Sequence, residues 1–140
     1  MCGINGSILF SGKILLENIK VMNNSIIHRG PDDDGIFVET NKTHSIAMGM
    51  RRLSIIDVSN GNQPMKSDDE NVIIVFNGEI YNFKSLKLQL ETNGVVFKTN
   101  SDTEVILNMY LEYGIESFSK LDGMFAFSIY DKRINKLYIA

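Results

Sequence analysis

The chain has 140 residues, of which 44% are hydrophobic and 22% charged, and its net charge is -3. These values fit one soluble globular domain. The sequence contains no apolar run long enough to span a bilayer and no Lys/Arg cluster of the kind that binds nucleic acid. The N-terminus lacks the basic and then apolar layout of a signal peptide. One cysteine excludes an internal disulfide and fits a reducing cytoplasm, and with two distant histidines it argues against a structural zinc site.

The only cysteine is the second residue, directly after Met1 and before Gly3. Removal of Met1 would leave Cys2 with a free α-amine, whose pKa of about 7.7–8.0 lies close to the thiol value of about 8.5. An N-terminal amine that activates its own side chain is a recognised nucleophile. Cys2 is therefore a candidate catalytic residue, and the alternative is a buried cysteine that happens to fall early in the chain.

The first half of the chain alternates strand and helix patterns. Apolar spacing predicts a strand over residues 2–10, a helix that begins at about 15 and ends near 23–24, and a hairpin whose arms are 36–39 and 45–50. A proline-containing loop, 28–32, separates the helix from the hairpin. Three aspartates at 32–34 lack the spaced donors of a calcium loop and predict a solvated turn.

The second half begins with a continuous apolar run, residues 72–76, which is typical of a strand buried on both faces. Helices are predicted over about 83–91 and from Ser101, where Ser101 and Glu104 have the spacing of a capping box. Alternation predicts a strand over 123–130, and another begins near 137. Because the chain stops inside an apolar strand pattern, we expect it to be a fragment of a longer domain.

A thiol that hydrolyses an amide needs two fixed donors for the oxyanion, and Asn77-Gly78 at the end of the buried strand could supply a side-chain amide and a backbone N–H. Taken alone, the same dipeptide is a common hairpin turn. An amino-acid substrate also needs a cation for its carboxylate, for which Arg52 and its neighbour Arg51 are candidates. Asp102, at the start of a helix, could bind the ammonium group or serve only as part of a cap.

Seven motifs together carry a family resemblance. They are Cys-Gly-Ile at 2–4, His-Arg-Gly-Pro-Asp at 28–32, Arg-Leu-Ser-Ile-Ile-Asp at 52–57, Gln-Pro-Met at 63–65, Asn-Gly-Glu-Ile-Tyr-Asn at 77–82, Ser-Asp-Thr-Glu at 101–104 and Asp-Gly-Met-Phe-Ala-Phe at 122–127. In this order they resemble the glutaminase domain of glutamine-dependent asparagine synthetases, which are class II glutamine amidotransferases and N-terminal nucleophile (Ntn) hydrolases. Other class II domains share the terminal cysteine but match the motifs at 28–32 and 77–82 less well.

The resemblance implies an α+β fold, a four-layer αββα sandwich of two antiparallel sheets between helices. It implies that Cys2 is the nucleophile, that its own α-amine is the base, and that Asn77 and Gly78 form the oxyanion hole. His28 and Arg29 would support the site without reacting. The residues that the resemblance assigns to substrate binding are Arg52 for the carboxylate, Asp102 for the α-ammonium, Glu79, and the pocket residues Leu53, Ile55 and Ile56.

The implied domain covers residues 1–140, is incomplete at its C-terminus, and lacks the synthetase domain. No cofactor is expected in this chain, because ATP and Mg would belong to the missing synthetase domain. The expected partners are L-glutamine and a synthetase domain or subunit that accepts ammonia; a homodimer stays open, and neither nucleic acid nor a membrane is expected.

The leading hypothesis is a cytoplasmic glutamine amidotransferase that converts L-glutamine to glutamate and ammonia through a Cys2 thioester. The ammonia would serve amidation of aspartate or a related carboxylate. Two alternatives stay open: a truncated, non-catalytic glutamine-binding or regulatory fragment, and a domain that needs its missing partner to order the oxyanion hole. A retained Met1 would deprive Cys2 of its base.

Overall fold

A computed structural model describes residues 2–53 and 61–140. The predicted pocket residues Ile55 and Ile56, and Met1, lie outside the described residues. The strands are β1 (Gly3–Leu9), β2 (Asp33–Thr40), β3 (Ser45–Arg52), β4 (Met65–Lys66), β5 (Val72–Ile80), β6 (Gly123–Asp131) and β7 (Lys136–Ile139). The α-helices are α1 (Leu16–Ser25), α2 (Phe83–Thr92) and α3 (Asp102–Tyr113), and 3₁₀ helices lie at Ile27–Arg29 and Gly114–Lys120.

The chain divides into two compact units, the first of which includes residues 2–53 and 62–64. Its antiparallel sheet has the order β1-β3-β2, and α1 packs against β3. Ile19 of α1 is fully buried in a small core with Ile14 and Ala47, as the helical spacing of the sequence predicts. Because β3 is the central strand, all of its residues are buried, and its end at Arg52 has a fixed register against both neighbours.

The predicted hairpin is confirmed, but its first arm is longer than expected. β2 begins at Asp33, so Asp33 and Asp34 belong to a strand and not to the predicted solvated turn. They pair with Arg52 and Arg51 of β3, respectively, and the main-chain pairing with the end of β3 accounts for the extension. In the loop of the hairpin, Asn41 Oδ1 accepts a hydrogen bond from the backbone N–H of His44.

The second unit includes residues 65–140 and has a four-stranded antiparallel sheet of order β4-β5-β6-β7. β4 pairs only with Ile73 and Ile74 of β5, whereas β6 pairs with all of β5. Helices α2 and α3 pack against each other, and α3 also packs against β5. The core residues with less than 4% exposure include Val72, Ile74, Phe76, Leu90, Val105, Ile106, Met109, Phe127 and Ile129.

The β-branched run of β5 continues through Asn77 and Gly78 without a turn, so the hairpin interpretation of this dipeptide is wrong. Asn77 pairs with Ala126 of β6, and Gly78 pairs with Phe125. Both predicted oxyanion-hole residues are therefore held by a strand pairing. Within the described parts of the chain, no helix is both long and apolar enough to cross a membrane.

Candidate active site

The thiol of Cys2 lies against the backbone of Leu53 in the first unit. The Leu53 N–H donates to Cys2 Sγ at 3.4 Å, and the thiol is 3.7 Å from the Leu53 carbonyl oxygen, to which it donates. Cys2 is partly exposed. Both contacts place the sulfur beside the main chain that directly follows β3.

The chain around the predicted motif at 28–32 packs closely on Cys2 and on the end of β3. Arg29 Nε donates to the Cys2 carbonyl oxygen at 3.4 Å. Gly30 lies so close to Arg51 that an added Cβ would be 2.4 Å from the Arg51 carbonyl carbon. The Asp32 N–H donates to the Arg52 carbonyl oxygen at 3.1 Å. Arg29 thus contacts Cys2 through its side chain, whereas Gly30 and Asp32 pack on the end of β3 through their main chain. The supporting role of His28 and Arg29 stays a prediction.

The structure gives the two adjacent arginines different environments. Side chains alternate faces along a strand, so those of Arg51 and Arg52 leave β3 on opposite sides. Arg51 donates through Nε to the Asn23 carbonyl oxygen at 3.2 Å and through Nη2 to Asn24 Oδ1 at 2.6 Å. Arg51 therefore has a structural role at the end of α1. Arg52 is buried, donates to Asn62 Oδ1 at 3.4 Å, and is the stronger candidate for binding a substrate carboxylate.

Asn23 is important for this unit and was missed in the sequence. It is 1% exposed, and its Nδ2 donates to the carbonyl oxygens of Gly35 at 3.3 Å and Met50 at 3.1 Å. Its Oδ1 accepts a hydrogen bond of 2.5 Å from Asn5 Nδ2, so one side chain joins α1 to all three strands. The available signal was its position four residues after the buried Ile19, on the apolar face of α1.

In the second unit, the backbone at Gly78 requires glycine. Its φ is 153°, and a Cβ at this position would be 2.3 Å from the Met124 carbonyl oxygen. The preceding Asn77 has a buried Oδ1 with no hydrogen-bond partner among residues 2–53 and 61–140. A buried amide oxygen that lacks a partner is unfavourable by about 1–3 kcal/mol, but the predicted oxyanion hole requires the amide N–H of this side chain and not its oxygen.

Asp102 is the first residue of α3, is 5% exposed, and accepts a hydrogen bond from the Ile80 N–H at 3.3 Å. Burial raises the pKa of its carboxyl group, and the nearby charge of Glu79 raises it further. Glu79 itself is exposed near the end of β5. An ammonium group beside two carboxylates would reverse this effect, because it favours their ionised forms.

The predicted site residues fall into two groups, one in each unit. β1 and β3 bring Cys2, Arg52 and Leu53 together, and β5 with α3 brings together Asn77, Gly78, Glu79 and Asp102. Among residues 2–53 and 61–140, no cluster of three His, Cys, Asp or Glu side chains is placed to hold a metal ion.

Comparison with known proteins identifies the family. The family model described as a glutamine amidotransferase domain matches residues 1–140. The chain belongs to this family. The domain is similar to asparagine synthetase [glutamine-hydrolyzing] 1 of Bacillus subtilis, with 52% identity over 87% of the chain and 19% of the relative. It is also similar to putative asparagine synthetase [glutamine-hydrolyzing] 2 of Methanocaldococcus jannaschii, with 45% identity over 95% of the chain and 28% of the relative.

The glutamine amidotransferase domain thus spans only 19% and 28% of the length of these two relatives. The predicted resemblance to glutamine-hydrolysing asparagine synthetases and the predicted enzyme class, a glutamine amidotransferase, are confirmed. The predicted incompleteness of the domain at its C-terminus stays a prediction.

Solved structures support the fold class. The glutamine phosphoribosylpyrophosphate amidotransferase of B. subtilis, complexed with ADP and GMP, matches 78% of the domain and 31% of its own chain, with a TM-score of 0.64 and 28% identity. A structure described as the allosteric regulatory enzyme of purine biosynthesis matches 62% of the domain and 22% of its own chain, with a TM-score of 0.53 and 31% identity. The predicted α+β Ntn-hydrolase fold class with two antiparallel sheets is confirmed.

Proposed function

We propose that this domain hydrolyses L-glutamine to glutamate and ammonia with Cys2 as the nucleophile. The observation that carries the proposal is the position of the Cys2 thiol, 3.4 Å from the Leu53 N–H and beside the end of β3, where Arg52 lies. The nucleophile directly precedes β1, and the cation for the substrate carboxylate ends the neighbouring strand β3. Membership of the glutamine amidotransferase domain family supports glutamine as the amide.

The proposed reaction starts from a chain that has lost Met1, so that the α-amine of Cys2 is free. The amine takes the thiol proton while Sγ attacks the side-chain amide carbon of glutamine. The side-chain amide of Asn77 and the N–H of Gly78 are the proposed donors to the resulting oxyanion. The tetrahedral intermediate collapses by breaking the C–N bond, and the α-ammonium group gives its proton to the departing ammonia. Water, deprotonated by the same amine, then hydrolyses the thioester to glutamate and restores the thiol.

The proposed substrate contacts follow the charges of glutamine. Arg52 binds the α-carboxylate, for which a guanidinium offers two parallel donors. Asp102 binds the α-ammonium group, and Glu79 assists through its negative charge. The Leu53 backbone, which contacts Cys2, would also contact the substrate beside the nucleophile. The roles of Ile55 and Ile56 in the pocket stay predictions from the sequence.

The destination of the ammonia is proposed from the relatives. The similar proteins are named as glutamine-hydrolysing asparagine synthetases, which suggests delivery to a synthetase domain or subunit of that type. Any ATP and Mg would act there, whereas this domain's proposed chemistry needs only its own side chains, its amine and water. We place the protein in the cytoplasm, where the single free cysteine would stay reduced.

The experiment that tests this function is the intact mass of the purified chain, before and after exposure to a diazoketone analogue of glutamine. We expect loss of Met1, one adduct on Cys2, protection by glutamine, and glutamate release by the unlabelled protein. Cys2→Ala should abolish both the adduct and turnover. A processed protein that takes no adduct and releases no glutamate would overturn the proposal and favour a non-catalytic glutamine-binding fragment.

A further inference from the structure

Glu104 is a buried acid that the proposed reaction does not use. It lies in the first turn of α3 and is 7% exposed. Its Oε1 accepts the Lys98 N–H at 2.9 Å, and its Oε2 accepts both the Thr99 N–H at 2.7 Å and the Thr99 hydroxyl at 2.6 Å. Both carboxylate oxygens thus hold the segment that leads into the helix. Charge-assisted hydrogen bonds of this kind are about twice as strong as neutral ones.

The same contacts form a closed ring with the helix cap. We call Thr99, Ser101 and Glu104 the cap ring. The Thr99 hydroxyl gives its proton to Glu104, so the Ser101 hydroxyl, at 2.9 Å, must donate to Thr99 Oγ1. Ser101 Oγ is then free to accept the Glu104 N–H at 3.2 Å. Thr99 Oγ1 also accepts the Ser101 N–H at 3.1 Å, the contact that an ordinary capping box assigns to the glutamate.

The cap ring encloses the backbone of Asp102, which follows Ser101 directly. The side chain of Asp102 accepts the Ile80 N–H at 3.3 Å, so its carboxylate is held by β5 on one side while the ring holds its main chain. A second anchor comes from α2, because Lys87 Nζ donates to the Thr99 carbonyl oxygen at 3.1 Å. A carboxylate fixed in this way loses little freedom when it binds a cation.

We propose that Glu104 is a positioning residue that sets the orientation of Asp102 and thereby selects substrates with an α-ammonium group. This inference rests on the proposed function. It assigns Glu104 no contact with the substrate; the acid acts through Thr99 and Ser101 on Asp102. Its loss should weaken recognition of the ammonium group and leave the chemistry at Cys2 largely intact.

The test compares L-glutamine with glutaramate, which is glutamine without its α-amino group. Glu104→Gln keeps the size of the side chain but loses the charge and one of the two acceptor oxygens. We expect the KM for glutamine to rise about tenfold, equivalent to about 1.4 kcal/mol, with kcat changed less than about twofold. The kcat/KM for glutaramate should stay unchanged. Thr99→Val should reproduce this pattern. Thr99→Ser keeps the hydroxyl and should therefore retain the wild-type kcat and KM.

Asp68→Asn is the matched control. It removes an exposed ion pair of 2.6 Å with Lys98 Nζ, in the same segment, but leaves the cap ring intact. We expect wild-type kinetics with both substrates. On an Asp102→Asn background, Glu104→Gln should have no further effect on KM, because the two residues act on one contact.

Three outcomes would overturn the inference: equal losses with both substrates, a lower melting temperature without any change in KM, or additive effects of Glu104→Gln and Asp102→Asn. If Glu104→Gln does not fold, the comparison of Thr99→Val with Thr99→Ser decides the question alone. A wild-type chain that loses Met1 and still releases no glutamate would contradict the proposed function and the inference together. If the wild-type protein hydrolyses glutamine normally and Glu104→Gln has the same kcat and KM as wild type, only the inference is contradicted.

Discussion

The backbone N–H of Ile80 donates to Asp102 Oδ2 across 3.3 Å, so the last residue of β5 and the first residue of α3 share a hydrogen bond. Burial raises the pKa of this carboxyl group above its ordinary value of 3.8, and the charge of Glu79 acts in the same direction. The carboxylate that we assign to the substrate ammonium group is thus harder to ionise in the free protein than an exposed aspartate.

The first prediction concerns pH. Binding an ammonium group needs ionised Asp102, so kcat/KM for glutamine should fall as pH drops through the raised pKa. Glu79→Gln removes the neighbouring negative charge and should move this acid limb to lower pH. The measurement is the pH profile of kcat/KM for wild type, Glu79→Gln and Asp102→Asn. An acid limb that persists unchanged in Asp102→Asn would assign the titration to another group.

The same pKa shift makes a prediction for stability. A raised pKa means that folded Asp102 binds its proton more tightly than the unfolded chain does, so this group destabilises the fold as pH rises from the unfolded value of about 3.8 through the folded pKa. Urea unfolding as a function of pH should show this loss in wild type. Asp102→Asn should remove that part of the pH dependence, and an unchanged dependence would contradict the assignment.

The third prediction separates the two arginines with one kind of substitution. Arg51→Gln breaks contacts with Asn23 and Asn24, so we expect the free energy of unfolding to fall by about 2–3 kcal/mol. Arg52→Gln should raise the KM for glutamine by about a hundredfold, because a charged hydrogen bond to the carboxylate is lost. Chemical denaturation and steady-state kinetics measure the two effects. A larger KM change for Arg51→Gln would reverse the assignment.

The fourth prediction concerns Gly78. A Cβ there would lie 2.3 Å from the Met124 carbonyl oxygen, so Gly78→Ala must push β5 away from β6 and should abolish glutamine turnover. Gly94→Ala is the control, since Gly94 also has a positive φ, 92°, but no atom within 4 Å of an added Cβ. We expect it to cost about 1 kcal/mol and to keep activity. Melting curves and glutamate assays compare both variants; normal turnover by Gly78→Ala would contradict the oxyanion-hole role.

The fifth prediction concerns Asp131, which is 1% exposed and accepts hydrogen bonds from Arg133 Nη2 at 2.7 Å and from the Tyr110 hydroxyl at 2.9 Å. Burial opposes its ionisation, but the hydrogen bonds from Arg133 and Tyr110 prevail and lower its pKa. Its stabilising contribution is therefore full above the unfolded value of about 3.8 and is lost as pH falls through the folded pKa.

Arg133 is 44% exposed and water can solvate it, so we expect Asp131→Asn to lower the unfolding free energy by about 1–2 kcal/mol at neutral pH, with a smaller difference in acid. Denaturant titrations at both pH values measure this. Tyr110→Phe removes a single hydrogen bond and should cost about 1 kcal/mol. A constant difference between wild type and Asp131→Asn at all pH values would contradict the ionised state.

Local patterns predicted most of the elements, because helix and strand periods appear directly in the spacing of apolar residues. The helix from Ser101 is an example: Ser101 Oγ accepts the Glu104 N–H, and the helix ends at Gly114 with φ of 60°. The reach of Glu104 back to Lys98 could not be predicted, because the capping-box rule covers only three residues.

Contacts distant in sequence explain the other differences. Asn23 binds the Met50 carbonyl oxygen, 27 residues away, so its polar character gave no indication of a buried position. Asn77-Gly78 has the composition of a turn, and only the pairing with β6 keeps it in a strand. The site residues were identified through the family resemblance, since each of them taken alone had a purely structural alternative.

In the part of the chain that the structure describes, the short β4 leaves part of one edge of β5 without a neighbouring strand. β4 covers only Ile73 and Ile74, so among the described residues no strand pairs with the second edge of β5 at Asn77–Glu79. An unpaired edge presents main-chain N–H and C=O groups, which are the same for every amino acid except proline. Alanine scanning would leave these groups in place and would underestimate how much this stretch contributes to substrate binding. Amide-to-ester replacement at single positions would show how much of substrate binding depends on the backbone itself.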